Sequence, residues 1–440
     1  MASHSSAGQR LLFMLGLILA GEAVFALPFH LARFFRPTML EVFGLTATEL
    51  GAAQGLYGVV AMLAYFPGGP LADRFPARKL MAWSLWSTAA GGLYMATFPA
   101  YGGTLAVFAF FGITTILLFW AALIRATREW GSGNTQGRAY GLLDGGRGVL
   151  AAGLASVGVV IFAWAFPNGY DAASFAEREG ALRVVTYGYT LVTALVGIYV
   201  WFFVSESGAG AAASAAAGAA ASAGAPRRRQ VRLGQVIGVL RLPAVWLQAL
   251  VVVCAYVAYK GFDNYSLYAV QGWGMDEVEA AQLMAMGAWL RPVAALGAGL
   301  LGDRYSVSRM LIVCFTLLLA SYVYFATVTP QAGMVWFLLG NVVVASAAVF
   351  GLRGLYFALF EEVRVPIALT GTAVGVVSVI GFTPDIFVTL VAGILVDRSP
   401  GLLGHQHFFM FLAGFAVVGI VASAALLRVA RRQRVVAGNG

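Results

Sequence analysis

Apolar runs of about 20 residues, separated by Pro, Gly and charged breaks, recur along the whole 440-residue chain. A helix of that length crosses a hydrocarbon core of about 30 Å, so each run predicts a membrane-spanning helix. Six fall near residues 11–35, 47–67, 79–98, 103–124, 139–165 and 181–204. Six more fall near 243–263, 279–301, 309–328, 332–353, 366–395 and 408–428. The first run begins at Arg10-Leu11-Leu12 with no small-residue cleavage site before Glu22, so it is expected to stay as a helix. Between the two sets, Ser205 to Gln230 is mostly Ala, Gly and Ser and ends in Arg227-Arg228-Arg229. It has no apolar face to dock and reads as a linker. The expected fold is therefore an all-α membrane protein of twelve transmembrane helices in two pseudo-symmetric six-helix bundles. The N-terminal bundle covers 1–204, a cytoplasmic linker with a basic end covers 205–242, and the C-terminal bundle with a short basic tail covers 243–440.

Composition narrows the function. Hydrophobic residues make up 60% of the chain and charged residues 11%, where a water-soluble surface needs roughly a quarter charged. A cytosolic enzyme, a nucleic-acid partner and a disordered scaffold are all excluded on that ground. The net charge of +9 is set by its placement. With the N-terminus in the cytoplasm, Arg74, Arg78, Lys79, Arg125, Arg128, Arg138, Arg227 to Arg229, Arg232, Arg304, Arg309, Arg353, Arg364 and the tail arginines all lie inside. The opposite loops keep Arg36, Arg178, Arg183 and Arg398, with Asp171, Glu177, Glu179, Asp276, Glu277 and Glu279 among them. Lys and Arg retard translocation, so both termini are expected in the cytoplasm of a bacterial-type inner membrane. Cys254 and Cys314 sit inside apolar runs and offer no disulfide framework. There is no phosphate-binding glycine loop, no paired-His zinc helix and no recognisable catalytic constellation, so neither a cofactor nor an enzyme activity is expected. His405-Gln406-His407 lacks a third ligand and reads as a solvated turn, and His30, in the outer part of helix one, is open to binding or pH sensing although an interfacial histidine is the commoner case.

The two halves also match at points that hydrophobicity does not explain. Gly69-Pro70-Leu71-Ala72-Asp73-Arg74-Phe75-Pro76-Ala77-Arg78-Lys79 follows the second helix, and Gly299-Leu300-Leu301-Gly302-Asp303-Arg304-Tyr305-Ser306-Val307-Ser308-Arg309 follows the eighth, about 230 residues later. The same offset carries Gly141 and Gly145 onto Gly371 and Gly375, pairs that read as tight helix packing. A similar offset carries Arg125 onto Arg353 and Arg33 onto Lys260. Several matches at one offset argue for duplication, and a six-plus-six duplicate is the architecture of a rocking transporter.

The Gly-x-Leu-Ala-Asp-Arg-x-x-x-Arg-Lys loop, with its weaker twin, resembles the signature of the major facilitator superfamily over nearly the whole chain. The resemblance implies alternating access, a solute held near mid-membrane between two six-helix domains, and a monomer. It also implies a cytoplasmic latch, carried here onto Asp73, Arg74, Arg78 and Lys79 and, in the twin, onto Asp303, Arg304 and Arg309. Pro76 stands where Gly is more usual. Phe29-His30-Leu31-Ala32-Arg33, Thr48-Glu49-Leu50-Gly51 and Tyr256-Val257-Ala258-Tyr259-Lys260-Gly261 are similar to parts of the organophosphate:phosphate antiporters. That likeness implies a pair of anion-holding basic residues, Arg33 and Lys260. Lys in helix seven, where Arg is usual, and a short spacing from Arg33 to the Asp73 loop depart from that pattern.

An ionisable group in hydrocarbon costs a few kcal/mol, so each one within a span is a functional candidate. At about 1.5 Å per residue, Glu22 and Arg291 lie near mid-membrane, while Lys260 and Arg33 fall in the outer half. Glu22 and Arg33 are eleven residues apart and share a face of a straight helix. Asp263 follows Lys260 by three residues and is placed to neutralise it. These positions put Arg291, Lys260 and Arg33 around an anionic solute, with Tyr256, Tyr259 and Tyr265 as neutral donors. Glu22, Asp385 and Asp263 are the proton-coupling candidates. Asp385 follows a Pro, as in bent cavity-lining helices. Arg125, Arg353, Asp144 and Arg147 are assigned to the cytoplasmic gate.

The expected function is secondary active transport of a small organic anion (an organophosphate, sulfonate or carboxylate), proton-coupled or in exchange for a counter-anion. Two other readings stay open at this point. One is proton-driven efflux of amphipathic cations, and the other is a membrane sensor that binds without turnover.

Overall fold

The computed structural model describes residues 7–131, 136–204, 243–331, 333–356, 358–359 and 377–438, with the side chains of 7, 136, 137, 303 and 431–438 excepted. Every regular element among them is a helix. Eleven are long and apolar enough to cross a membrane: Gly8–Phe34, Ala47–Arg74, Tyr101–Trp130, Arg138–Trp164, Phe175–Phe203, Pro243–Trp273, Glu277–Gly302, Val307–Thr327, Val335–Leu355, Val377–Arg398 and Leu402–Ala430. A twelfth, Ala77–Met95, is the third in chain order. It opens on Arg78-Lys79 and carries Ser, Thr and Gly, which lowers its hydropathy. The linker over 205–242, Gly371, Gly375, the start of the eleventh helix and the side chain of Asp303 lie outside the described residues.

Local chemistry fixes the helix ends. Thr46 and Glu49 exchange hydrogen bonds of 2.9 and 3.1 Å, and Ser174 with Glu177 does the same at 2.7 and 3.3 Å. Each satisfies N–H groups that the first helical turn leaves open. Asp276 and Glu279 are tied in the same reciprocal manner ahead of the eighth helix. A short helix, Arg36–Phe43, follows the first one and stops at Gly44, whose φ of 62° suits a residue with no Cβ.

Two helices widen in mid-course. Ala26–His30 forms a π-type turn in the first, around Pro28, whose ring cannot continue an α-helical ladder. Ile113–Trp120 does so in the fourth. There, Ser84 donates to the Thr114 carbonyl at 2.6 Å. Thr88 donates to the Thr114 hydroxyl at 2.8 Å.

The chain divides into two compact units, Met1–Arg228 with Asp276–Ala285, and Arg229–Met275 with Met286–Gly440. The start of the eighth helix therefore groups with the first unit rather than with the C-terminal bundle. Core positions of the first unit include Leu17, Met81, Leu85, Phe119, Leu123 and Val200, all fully buried. The second is built around aromatic contacts, with Tyr265, Tyr268, Phe325 and Phe409 at centroid separations of 4.7–5.8 Å. Gly141 and Gly145 depart from the tight-packing expectation, since a Cβ on either would meet nothing within 4 Å.

The loop after the eighth helix carries strain. Ser306, the counterpart of Pro76, has a φ of 136° and caps the ninth helix through a long 3.4 Å contact from the Arg309 N–H. A residue with a Cβ held at such a φ costs about 1–3 kcal/mol, and Gly at an N-cap loses only a few tenths. Ser306→Gly is therefore expected to stabilise the protein by about 1 kcal/mol, read as a higher unfolding midpoint in detergent.

Candidate functional site

The first unit holds a cluster around Glu22, near the middle of the Gly8–Phe34 helix. Arg147 of the fifth helix brings Nε to 3.3 Å from Glu22 Oε2. His30 Nε2 stands 3.2 Å from Oε1. Glu22 and His30 are both buried, at 4% and 5% exposure. The Arg147 guanidinium also lies 5.7 Å from the Phe25 ring centre and 5.8 Å from that of Trp120, faces that favour a cation. Its stem passes over Gly21, where a Cβ would stand 2.9 Å from Arg147 Cδ.

The π turn explains why the partners are these. Residues advance about 100° each around an α-helix, so His30 and Glu22 would be about 80° apart on a straight one. A π turn takes up one extra residue and brings them within about 20° of a common face. The same turn swings Arg33 about 100° from the position a straight helix gives it, so the expectation that Glu22 and Arg33 share a face is corrected. Arg33 is buried at the C-terminal end of that helix. Arg147, expected at the cytoplasmic gate with Asp144, instead reaches Glu22, while Asp144 is exposed.

The second unit holds a denser cluster. Lys260 Nζ lies 2.6 Å from Asp263 Oδ2 and 3.5 Å from Asp385 Oδ1. The Tyr256 hydroxyl donates to Asp385 Oδ2 at 2.9 Å. The Lys260 and Asp263 side chains are 2% and 0% exposed, and that of Asp385 14%. A 3₁₀ turn, Phe262–Asn264, carries Asp263 back beneath Lys260. Asp385 enters from the first turn of Pro384–Arg398, where Pro384 occupies a helical position that needs no N–H partner. Helix seven runs on to Trp273. Lys260 is thus near its middle and not in the outer half, a correction that follows from a helix longer than the apolar run.

Other expected positions separate. Arg353, expected at the cytoplasmic gate, places its guanidinium 4.0 Å from the Tyr259 ring centre. Tyr265 is enclosed by Phe262, Phe325 and Phe409 in the aromatic core, apart from the Lys260 cluster. Arg291 is buried near the middle of the eighth helix. At the Asp73 loop, Arg125 donates to the Ala72 and Phe75 carbonyls and so ties the fourth helix to the end of the second. Asp73, Arg74, Lys79, Arg304 and Arg309 are exposed. Arg78 lies over Trp201.

The sequence reading missed three positions. Arg36 was placed in an outer loop but is fully buried and donates to Gln54 Oε1 at 3.1 Å. Its flank, Phe34-Phe35 before and Pro37 after, carried the signal for a buried start of a short helix. His405 is fully buried and 2.9 Å from Gln271 Oε1, not in a solvated turn. Glu41 accepts from Arg178 at 2.9 Å and from the Tyr170 hydroxyl at 3.4 Å, anchoring the short helix to the sixth. Burial raises Tyr170 above the ordinary phenol range, which keeps that hydroxyl a donor.

A family model described as the Major Facilitator Superfamily matches residues 11–387. The chain belongs to that superfamily. It is a secondary transporter in architecture, not an enzyme, and proteins of this family carry small solutes across membranes. Among curated relatives it is 28% identical over 400 residues to the inner membrane protein YqcE of Escherichia coli K12, covering 89% of this chain and 88% of that one. It is 26% identical to the inner membrane protein YihN of the same organism, covering 95% and 96%. Solved structures with the same fold include a bacterial homolog of the human lysosomal transporter Spinster, with a TM-score of 0.70, 14% identity and coverage of 97% and 98%. A D-xylose-proton symporter matches with a TM-score of 0.70, 15% identity and coverage of 96% and 97%.

Proposed function

We propose that the chain moves a small organic anion, of the organophosphate, sulfonate or carboxylate class, by proton-coupled alternating access. The observation that carries this reading is the presence of Arg33, Lys260 and Arg291 as buried cations within the spans. A charge in a membrane interior is costly and marks a functional position, and a guanidinium or ammonium there suits an anionic group.

The coupling proton is assigned to Asp385. Lys260 is shared between two carboxylates, and one ammonium balances one of them. Asp263 is the fully buried partner at 2.6 Å, whereas Asp385 is the more distant and more accessible one. Glu22, by contrast, is matched by Arg147. The excess of Lys and Arg on one side of the spans supports both termini lying in the cytoplasm.

The test is the unfolding midpoint of purified protein against organophosphates, sulfonates, carboxylates, neutral sugars and lipophilic cations, with Lys260→Ala and Arg291→Ala beside wild type. A ligand at a hundred times its Kd stabilises by about 2.7 kcal/mol. Stabilisation by one anion class, lost in either variant, is the expected result. Stabilisation only by lipophilic cations, kept in both variants, would overturn it.

A further inference from the structure

We propose that His30 takes up a second proton, independent of Asp385, when an anionic solute binds at the Glu22–Arg147 cluster. The inference rests on the anion reading above and adds to it a proton-dependent anion subsite in the first unit.

The imidazole is buried, and its two nitrogens have different surroundings. Nε2 faces Glu22 Oε1 at 3.2 Å. Nδ1 is also buried and makes no hydrogen bond among the described residues. A neutral imidazole offers one donor and one acceptor, and a protonated one offers two donors on opposite sides of the ring. With Nε2 turned to the carboxylate, a proton on Nδ1 creates a donor directed away from Glu22. A buried donor requires an acceptor, and a charged donor gains most from an anionic one.

The groups around the ring set the sign. From its own helix comes Glu22. The fifth helix contributes Arg147, which already balances Glu22. The sixth contributes Tyr189, whose ring centre is 6.1 Å from the imidazole and whose hydroxyl donates to the Leu154 carbonyl. Phe34 closes another side at 5.6 Å. Glu22 is the carboxylate in this set, and Arg147 neutralises it. A protonated His30 therefore adds a positive charge to the balanced Glu22–Arg147 pair. Such a site holds an anion more tightly once the imidazole is protonated, and takes up the proton more readily once the anion is bound. By linkage the two effects are one coupling free energy seen from either side.

The experiment follows the imidazole and the anion together. Protein labelled with ¹⁵N-histidine carries four imidazoles, and His30→Gln identifies the signal of interest. Wild type is titrated from about pH 5.5 to 8.5, where imidazoles change charge, alone and with isethionate, gluconate or glycerol 3-phosphate. Isethionate and gluconate keep a fixed charge over that range. The expected result is that a bound anion moves the His30 titration toward higher pH. Binding should strengthen up to about tenfold per pH unit as pH falls, and that slope should flatten in His30→Gln. The wild-type titration stands without the variant should the variant fold poorly. An imidazole that keeps one protonation state throughout with anion bound, or a His30→Gln protein with the wild-type slope, overturns the inference and leaves the anion reading intact. Absence of binding by all three probes at every pH overturns the anion reading and the inference together.

Discussion

Lys260→Ala should be among the most damaging single substitutions in this protein. It removes the ammonium that sits 2.6 Å from Asp263 and 3.5 Å from Asp385. Breaking a buried ion pair from one side costs about 3–5 kcal/mol, because the remaining charge is left uncompensated. Here two carboxylates lose their cation at once, so the upper part of that range is expected. Asp385→Asn is the informative contrast. It leaves Lys260 and Asp263 matched one to one and preserves an acceptor for the Tyr256 hydroxyl. Its unfolding midpoint should lie much closer to wild type than that of Lys260→Ala.

Asp385→Asn also separates stability from coupling. A carboxamide mimics the protonated acid in shape and charge but cannot release a proton. In proteoliposomes the variant should still exchange labelled solute across the membrane, yet fail to accumulate it when a pH gradient is imposed. Accumulation at the wild-type level in Asp385→Asn would remove Asp385 from the coupling step and favour counter-anion exchange. A loss of exchange as large as the loss of accumulation would instead place Asp385 in solute binding.

The sequence reading succeeded where the relevant signal is local and failed where it depends on the path of a helix. Twelve apolar runs, the duplicated Asp-Arg loop and the Lys260–Asp263 pair all follow from composition or from spacings of a few residues. The partner of Glu22 did not, because Arg147 lies 125 residues away and nothing local joins them. His30 was misplaced for a second reason. An interfacial histidine is the natural reading on a straight helix, and the Ala26–His30 π turn rotates it onto Glu22 instead. Pro28 was visible as a possible bend, but a proline fixes neither the width of the turn nor its register. Depth estimates failed similarly for Lys260, since the apolar window ended near residue 263 while the helix continues to Trp273. The polar residues that lengthen it, Asp263 and Asn264 among them, are buried.

Glu22 and Arg147 give the second large effect, best measured as a double-mutant cycle. Glu22→Gln leaves a guanidinium that is 13% exposed facing a neutral amide, beside the Phe25 and Trp120 rings. Arg147→Met leaves a buried carboxylate with His30 as its near partner. Each single change should cost about 3 kcal/mol, the lower end for a buried pair because Arg147 keeps some solvent. The double variant Glu22→Gln/Arg147→Met replaces both charges by uncharged side chains of similar length. It should recover much of the loss, with a coupling energy of about 2–3 kcal/mol. Losses that simply add in the double variant would mean that the two charges are compensated by separate groups, and the pairing would then not explain the burial of Glu22.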